Sequence, residues 1–161
     1  MRELNAANRA EVLAQAKRPA WFIEAEFRTV TLNLWSGMGT IQWGRRTWYG
    51  PGTAPVSVPG GVTGAAVVEI QGHREALGVE ATGMKLVVSQ FPAALLRYCV
   101  DELRVGKQCN VWLGSLNVAG TQLVDDPVPW FAGWMDAAEV EQNPENARIT
   151  ISVENELRRL Q

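Results

Sequence analysis

The chain has 161 residues, 47% of them hydrophobic and 20% charged, enough for one domain with a substantial core and at most a small appendage. Fifteen Lys and Arg against seventeen Asp and Glu leave a net charge of −2, which counts against the basic face that nucleic-acid binding needs. No run of about 18 apolar residues is present to span a membrane, the N-terminus lacks the apolar core of a signal peptide, and Cys99 and Cys109 are too few for a closed zinc or iron–sulfur site within one chain.

The first predicted element is a helix. Asn5 suits an N-cap, Ala6, Ala10 and Leu13 recur at helical spacing, and Pro19 ends the pattern. Its apolar face is mostly alanine, so residues 1–19 read as a helical arm that docks on its own domain or a neighbour. From Trp21 the period becomes two: Trp21, Ile23, Ala25 and Phe27 alternate with Phe22, Glu24, Glu26 and Arg28, and Val30, Leu32 and Leu34 follow. This predicts two half-buried strands joined by a turn near Arg28–Thr29.

Residues 34–52, LWSGMGTIQWGRRTWYGPG, carry three of seven tryptophans and five of fifteen glycines. They predict a turn at Ser36–Gly39, a strand through Ile41 and Trp43, a turn at Gly44–Arg46 and a returning strand at Thr47–Tyr49. Residues 50–65 are uncharged, rich in Gly and Pro and without periodicity, which predicts an extended arm that orders on a partner, with a plainly flexible loop as the alternative. Strands are expected at Ala66–Gln71 and Gly83–Gln90. A second helix follows Pro92, with Leu95, Leu96, Cys99 and Leu103 on one stripe and Gly106 as its cap.

The remainder reads as strands at 108–116 and 121–126 around a turn at Asn117–Gly120, with Pro127 and Pro129 as an interruption. A long hairpin over 130–142 and 146–157 completes the chain, with Ile149, Ile151 and Val153 facing inward. The fold expected is mainly β with two or three short helices, a β-barrel or sandwich spanning 20–161.

The catalytic inventory is nearly empty. There is no P-loop, HExxH or GxSxG signature, and Gly37-Met-Gly39 lacks the third glycine and following helix of a dinucleotide fingerprint. His73, the single histidine, builds neither a triad nor a multi-histidine metal site. Asp125, Asp126 and Asp136 lie near Trp130 and Trp134, an arrangement open to a small glycan hydrolase, but adjacent acids before a proline are usually turn residues. No catalytic, cofactor or metal residue is assigned. Cys99 and Cys109 are expected to be reduced and packed, although a disulfide is geometrically open to them. The tryptophans at 21, 35, 43, 48, 112, 130 and 134 are spread along strands, as fillers of a core or an interface. A carbohydrate-binding module that stacks sugars on them is the rival reading.

Several stretches together resemble a phage tail-tip, baseplate hub-type family, which includes the N-terminal part of gene transfer agent hub proteins and siphophage tail assembly proteins. They are Leu34-Trp35-Ser36-Gly37-x-Gly39 with Trp43-Gly44 and Trp48-Tyr49-Gly50, then Gly83-x-x-Leu86-x-x-Ser89-x-x-Pro92-x-x-Leu95-Leu96 and Trp112-Leu113-Gly114. Asp126-Pro127-x-Pro129-x-Phe131-x-Gly133-x-Met135-Asp136 and Ile149-x-Ile151-x-Val153-Glu154-x-x-Leu157 close the series, in order over residues 20–158. Longer relatives add iron–sulfur cysteines or a region feeding peptidoglycan hydrolysis, and neither is carried over to this chain.

The resemblance implies a structural subunit of a noncontractile tail, built from a β-barrel related to the tail-tube fold. It implies a homo-oligomeric ring, trimeric by first choice and hexameric by second, between the distal tail ring and the hub or central fibre, with the tape measure nearby. Its place is the virion tail tip after assembly in the bacterial host cytoplasm. No cofactor, nucleic-acid specificity or membrane span is implied. The residues expected at subunit contacts are Trp43, Trp48, Tyr49, Pro51, Val56, Val58, Val62 and Trp130.

Overall fold

The computed structural model describes residues 18–51, 56–58, 61–63, 67–71, 83–89, 107–142 and 147–155. Both predicted helices, His73 and Cys99 lie outside them. The described residues are mainly β. Eleven strands run in chain order: β1 (Pro19–Glu26), β2 (Thr31–Trp35), β3 (Thr40–Trp43), β4 (Arg46–Tyr49), β5 (Val56–Val58), β6 (Gly61–Thr63), β7 (Val67–Gln71), β8 (Met84–Ser89), β9 (Lys107–Ser115), β10 (Val128–Gln142) and β11 (Ala147–Asn155).

Nine strands form one mixed sheet in the order β3-β4-β2-β1-β9-β10-β11-β8-β7, while β5 and β6 pair only with each other. All pairings in the large sheet are antiparallel except β2 with β4, which meet in parallel at Leu34 and Tyr49. β5 and β6 fall inside the stretch read as an arm or loop without periodicity. The alternation Val56-Ser57-Val58, followed by Pro59-Gly60, is itself a short hairpin signal.

The period-two pattern fixes one face of the sheet as the main core. Ile23 and Ala25 of β1, Leu32 and Leu34 of β2, Val111 of β9, Met135 of β10, Ile149, Ile151 and Val153 of β11, and Leu86 of β8 belong to one buried cluster. Adjacent Phe22 and Ile23 are both fully buried, because β1 is covered on both faces. For that reason Phe22 places an apolar side chain among the otherwise polar alternate positions of WFIEAEF.

β10 is 15 residues long and serves two neighbours in succession. It pairs with β9 up to Met135 and with β11 from Gly133 to Gln142. Register shifts at Trp130 and Asp136 interrupt its ladders, and bulges of this kind bend and twist a strand.

Two expectations in this region need correction. Residues 121–126 form no strand, only an isolated bridge between Leu116 and Leu123. The Asn117 carboxamide oxygen accepts from the Thr121 and Gln122 amides at 3.0 and 3.3 Å, so a side chain takes donors that a ladder would use. Pro129, expected to interrupt, lies within β10 opposite Trp112. β11 joins β10 only from Gly133 onward, so Pro129 sits on a one-sided stretch where its missing N–H is not needed.

Candidate functional site

The tryptophan- and glycine-rich motif builds a second, smaller core on the opposite face of β2, β1 and β9. Gly44 and Arg45 both have φ of 60°, the two-residue turn that matches strand twist in a hairpin, and β3 and β4 pair through it from Trp43–Arg46 to Thr40–Tyr49. Trp48 is 1% exposed and Trp35 2%, packed with Phe22, Ala20 and Leu116. The Trp48 ring meets Phe22 edge-on with centroids 5.3 Å apart, and Trp43 stacks on Trp48 at 5.4 Å. Trp112 closes the group, edge-on to both tryptophans.

Each indole N–H in the motif is satisfied locally. Trp35 donates to the Gly39 carbonyl at 2.9 Å, Trp48 to the Trp43 carbonyl at 3.1 Å, and Trp43 to Asp126 Oδ1 at 3.1 Å. Glycine is required where the corner folds on itself: a Cβ on Gly50 would collide with the Gly37 carbonyl, and one on Gly37 with the Trp35 ring. The motif is therefore a packed corner. Trp43 and Trp48 use their flat faces on each other, and Trp35 stacks on Phe22.

Beside this corner the β3–β4 hairpin, the β1–β2 turn and the start of β9 enclose a cleft of about 500 Å³. Thr31 and Asn33 line it from β2, Thr47 and Tyr49 from β4, and Arg28, Arg46 and Lys107 bring three cations against Glu26. Glu24, 7% exposed in the middle of β1, anchors one of them. Its carboxylate pairs with the Arg46 guanidinium and accepts from Asn110 Nδ2 at 3.3 Å. Asn33 Oδ1 is buried without a hydrogen-bond partner among the described residues.

Of the residues expected at subunit contacts, Trp48 is enclosed within its own chain and presents no surface to a neighbour. Trp43 is half-buried in the same cluster, and Tyr49 and Pro51 are half-buried at the end of β4. Trp130 lies at the other core, edge-on to Trp21 with centroids 5.3 Å apart. Val56, Val58 and Val62 lie on the separate β5–β6 pair. The structure brings Trp43, Trp48 and Tyr49 together and leaves Trp130 elsewhere.

Two of the three acids considered for hydrolysis have structural duties, and Asp136 is exposed on β10. Asp125 accepts from the Asp126 amide at 2.8 Å, and Asp126 holds the Trp43 indole. No group of three metal-ligating side chains occurs among the described residues. Burial pushes the Cys109 thiol up to about 12, which keeps it protonated and inert at neutral pH. Arg28, Asn33 and Lys107 were not legible as a set, because they come from the β1–β2 turn, β2 and β9. The one local signal is Arg45-Arg46 directly after a hairpin glycine. No protein-family model and no curated protein matches the chain.

Proposed function

We propose that this chain is a structural subunit of a siphophage-type tail tip, forming a homo-oligomeric ring that joins the distal tail tube to the hub or central fibre. The ordered series of motifs over residues 20–158 brings the family into view. The observation that carries the reading is what its leading signature does in space. The Trp and Gly spacing of residues 34–50 makes a closed aromatic corner that pins a hairpin across the sheet, a means of building a rigid joint. In this reading the fold is a relative of the tail-tube β-barrel, the segments after Asn5 and Pro92 supply its short helices, and residues 50–65 reach a neighbouring subunit.

Native mass spectrometry of the chain, alone and with its tail partners, tests the proposal, with electron microscopy of purified particles beside it. Closed rings of three or six copies, or density at the tail tip, are expected. A chain that stays monomeric beside those partners and is missing from particles would sink the reading. Quenching of tryptophan fluorescence by cell-wall glycans, lost on Trp130→Ala, would favour the carbohydrate-binding rival instead.

A further inference from the structure

Three features of the cleft beside the β1–β2 turn describe the kind of ligand it takes. The first is charge. Arg28, Lys107 and Arg46 line it with Glu26, and Glu24 pairs with the half-exposed Arg46, so three cations face two carboxylates. A cationic rim on a chain of net charge −2 selects an anion. The second is Asn33 Oδ1, a buried acceptor without a partner among the described residues, which calls for an N–H or O–H donor.

The third feature is an open piece of backbone. Along an antiparallel ladder, residues alternately turn their peptide groups toward and away from the neighbouring strand. The Phe27 amide donates to the Val30 carbonyl and the Ser36 amide to the Trp21 carbonyl. In this register Leu32 and Leu34 bond to β1, while Thr31 and Asn33 turn their peptide groups to the opposite edge. β4 pairs with that edge only at Leu34–Tyr49, so among the described residues no strand continues the ladder at Thr31. Thr31 and Asn33 both line the cleft.

We propose that this cleft binds an acidic, extended peptide segment of a partner protein. The peptide backbone continues the ladder on the Thr31 edge, and one of its N–H groups reaches Asn33 Oδ1. Its carboxylates pair with Arg28, Lys107 and the outward side of Arg46, whose side chain is 50% exposed. A sugar acid or a phosphate ion supplies the charge but cannot add a strand, so the open edge singles out a peptide. The inference does not depend on the tail-tip reading.

Calorimetric titration of the intact chain with tetra-glutamate at low ionic strength is expected to give saturable binding that weakens as salt is added. Hydrogen exchange at the Thr31 amide should slow in the complex. Arg28→Gln combined with Lys107→Gln is expected to weaken binding about tenfold with an unchanged melting temperature. If that double variant melts lower, Arg28→Gln alone and the Thr31 exchange rate decide the matter. Glucuronate or inorganic phosphate binding as tightly as the peptide would overturn the strand-addition argument. Equal binding of tetra-lysine, or no response to the substitutions, would overturn the site.

Discussion

Arg46 reaches from the β3–β4 hairpin to pair with Glu24, the buried acidic side chain at the centre of β1. The contact ties the smaller aromatic core to the main sheet by charge as well as packing. Arg46→Met removes the counter-charge and leaves a carboxylate in a poorly solvated place. Because the arginine is half exposed, the loss should be about 2 kcal/mol, below the range for a fully buried pair. Glu24→Gln is milder, since it leaves no buried charge and can still bond Asn110. Urea denaturation of the two variants should rank them in that order; equal stability for Arg46→Met and wild type would show that the pair contributes nothing.

Trp48 and Trp43 stack, yet their removal should differ in cost. Trp48 is enclosed, so Trp48→Ala opens a cavity against Phe22, Trp43 and Trp112 and is expected to cost about 3–5 kcal/mol. Trp43 is half-buried and keeps part of its ring in water, so Trp43→Ala should cost about 2 kcal/mol. Thermal melts of both variants check the ranking, and a reversed order would contradict the packing described.

At the glycine corner, space and backbone conformation make separate predictions. Gly50→Ala sets a methyl group against the Gly37 carbonyl, and neither backbone can yield without opening the corner. Its cost should exceed about 3 kcal/mol, or the hairpin should detach. Gly39 has φ of 75° but open space around it, so Gly39→Ala carries only left-handed strain, about 1–2 kcal/mol. Indole signals of Trp35 and Trp48 in NMR spectra should shift in the first variant and hold in the second.

Cys109 is fully buried and its thiol is pushed up to about 12 from an ordinary 9.0. The unfolded chain can ionise this thiol above pH 9 while the folded chain cannot. The group's contribution is therefore intact below pH 9 and declines as pH rises toward 12, by up to about 1.4 kcal/mol per pH unit. The stability difference between wild type and Cys109→Ala should shrink over that window. In a Cys99→Ser background, thiol reagents at pH 8 should label Cys109 only after denaturant is added; rapid labelling of the native protein would contradict the burial.

Elements with one buried face were the most legible. β11 shows this best, because Ile149, Ile151 and Val153 alternate with polar residues and all three are buried. β1 disguised its second face, since Phe22 looked like an outward residue until the β3–β4 hairpin was found across it. The stretch 121–126 misled because the competitor for its backbone is the Asn117 side chain, a tertiary detail invisible to periodicity. The aromatic corner was half legible: its glycines and tryptophans marked a tight turn, but whether the rings pointed inward or outward depended on the partner strands. The cleft was not legible at all. Its cations are ordinary surface residues one at a time and become a set only when the β1–β2 turn, β4 and β9 converge.

The position of β1 between β2 and β9 also constrains how the molecule comes into being. Glu24 meets Asn110 across 86 residues of chain, so β1 leaves the ribosome well before the neighbour it pairs with. Until β9 emerges, the β1–β2 hairpin holds Phe22 and Ile23 without the strand that pairs with its open edge. Pairings this distant slow folding and lengthen the exposure of sticky intermediates. Fragments ending before β9 should therefore aggregate, and chaperone dependence should fall only once β9, β10 and β11, which together complete the main core, have been made.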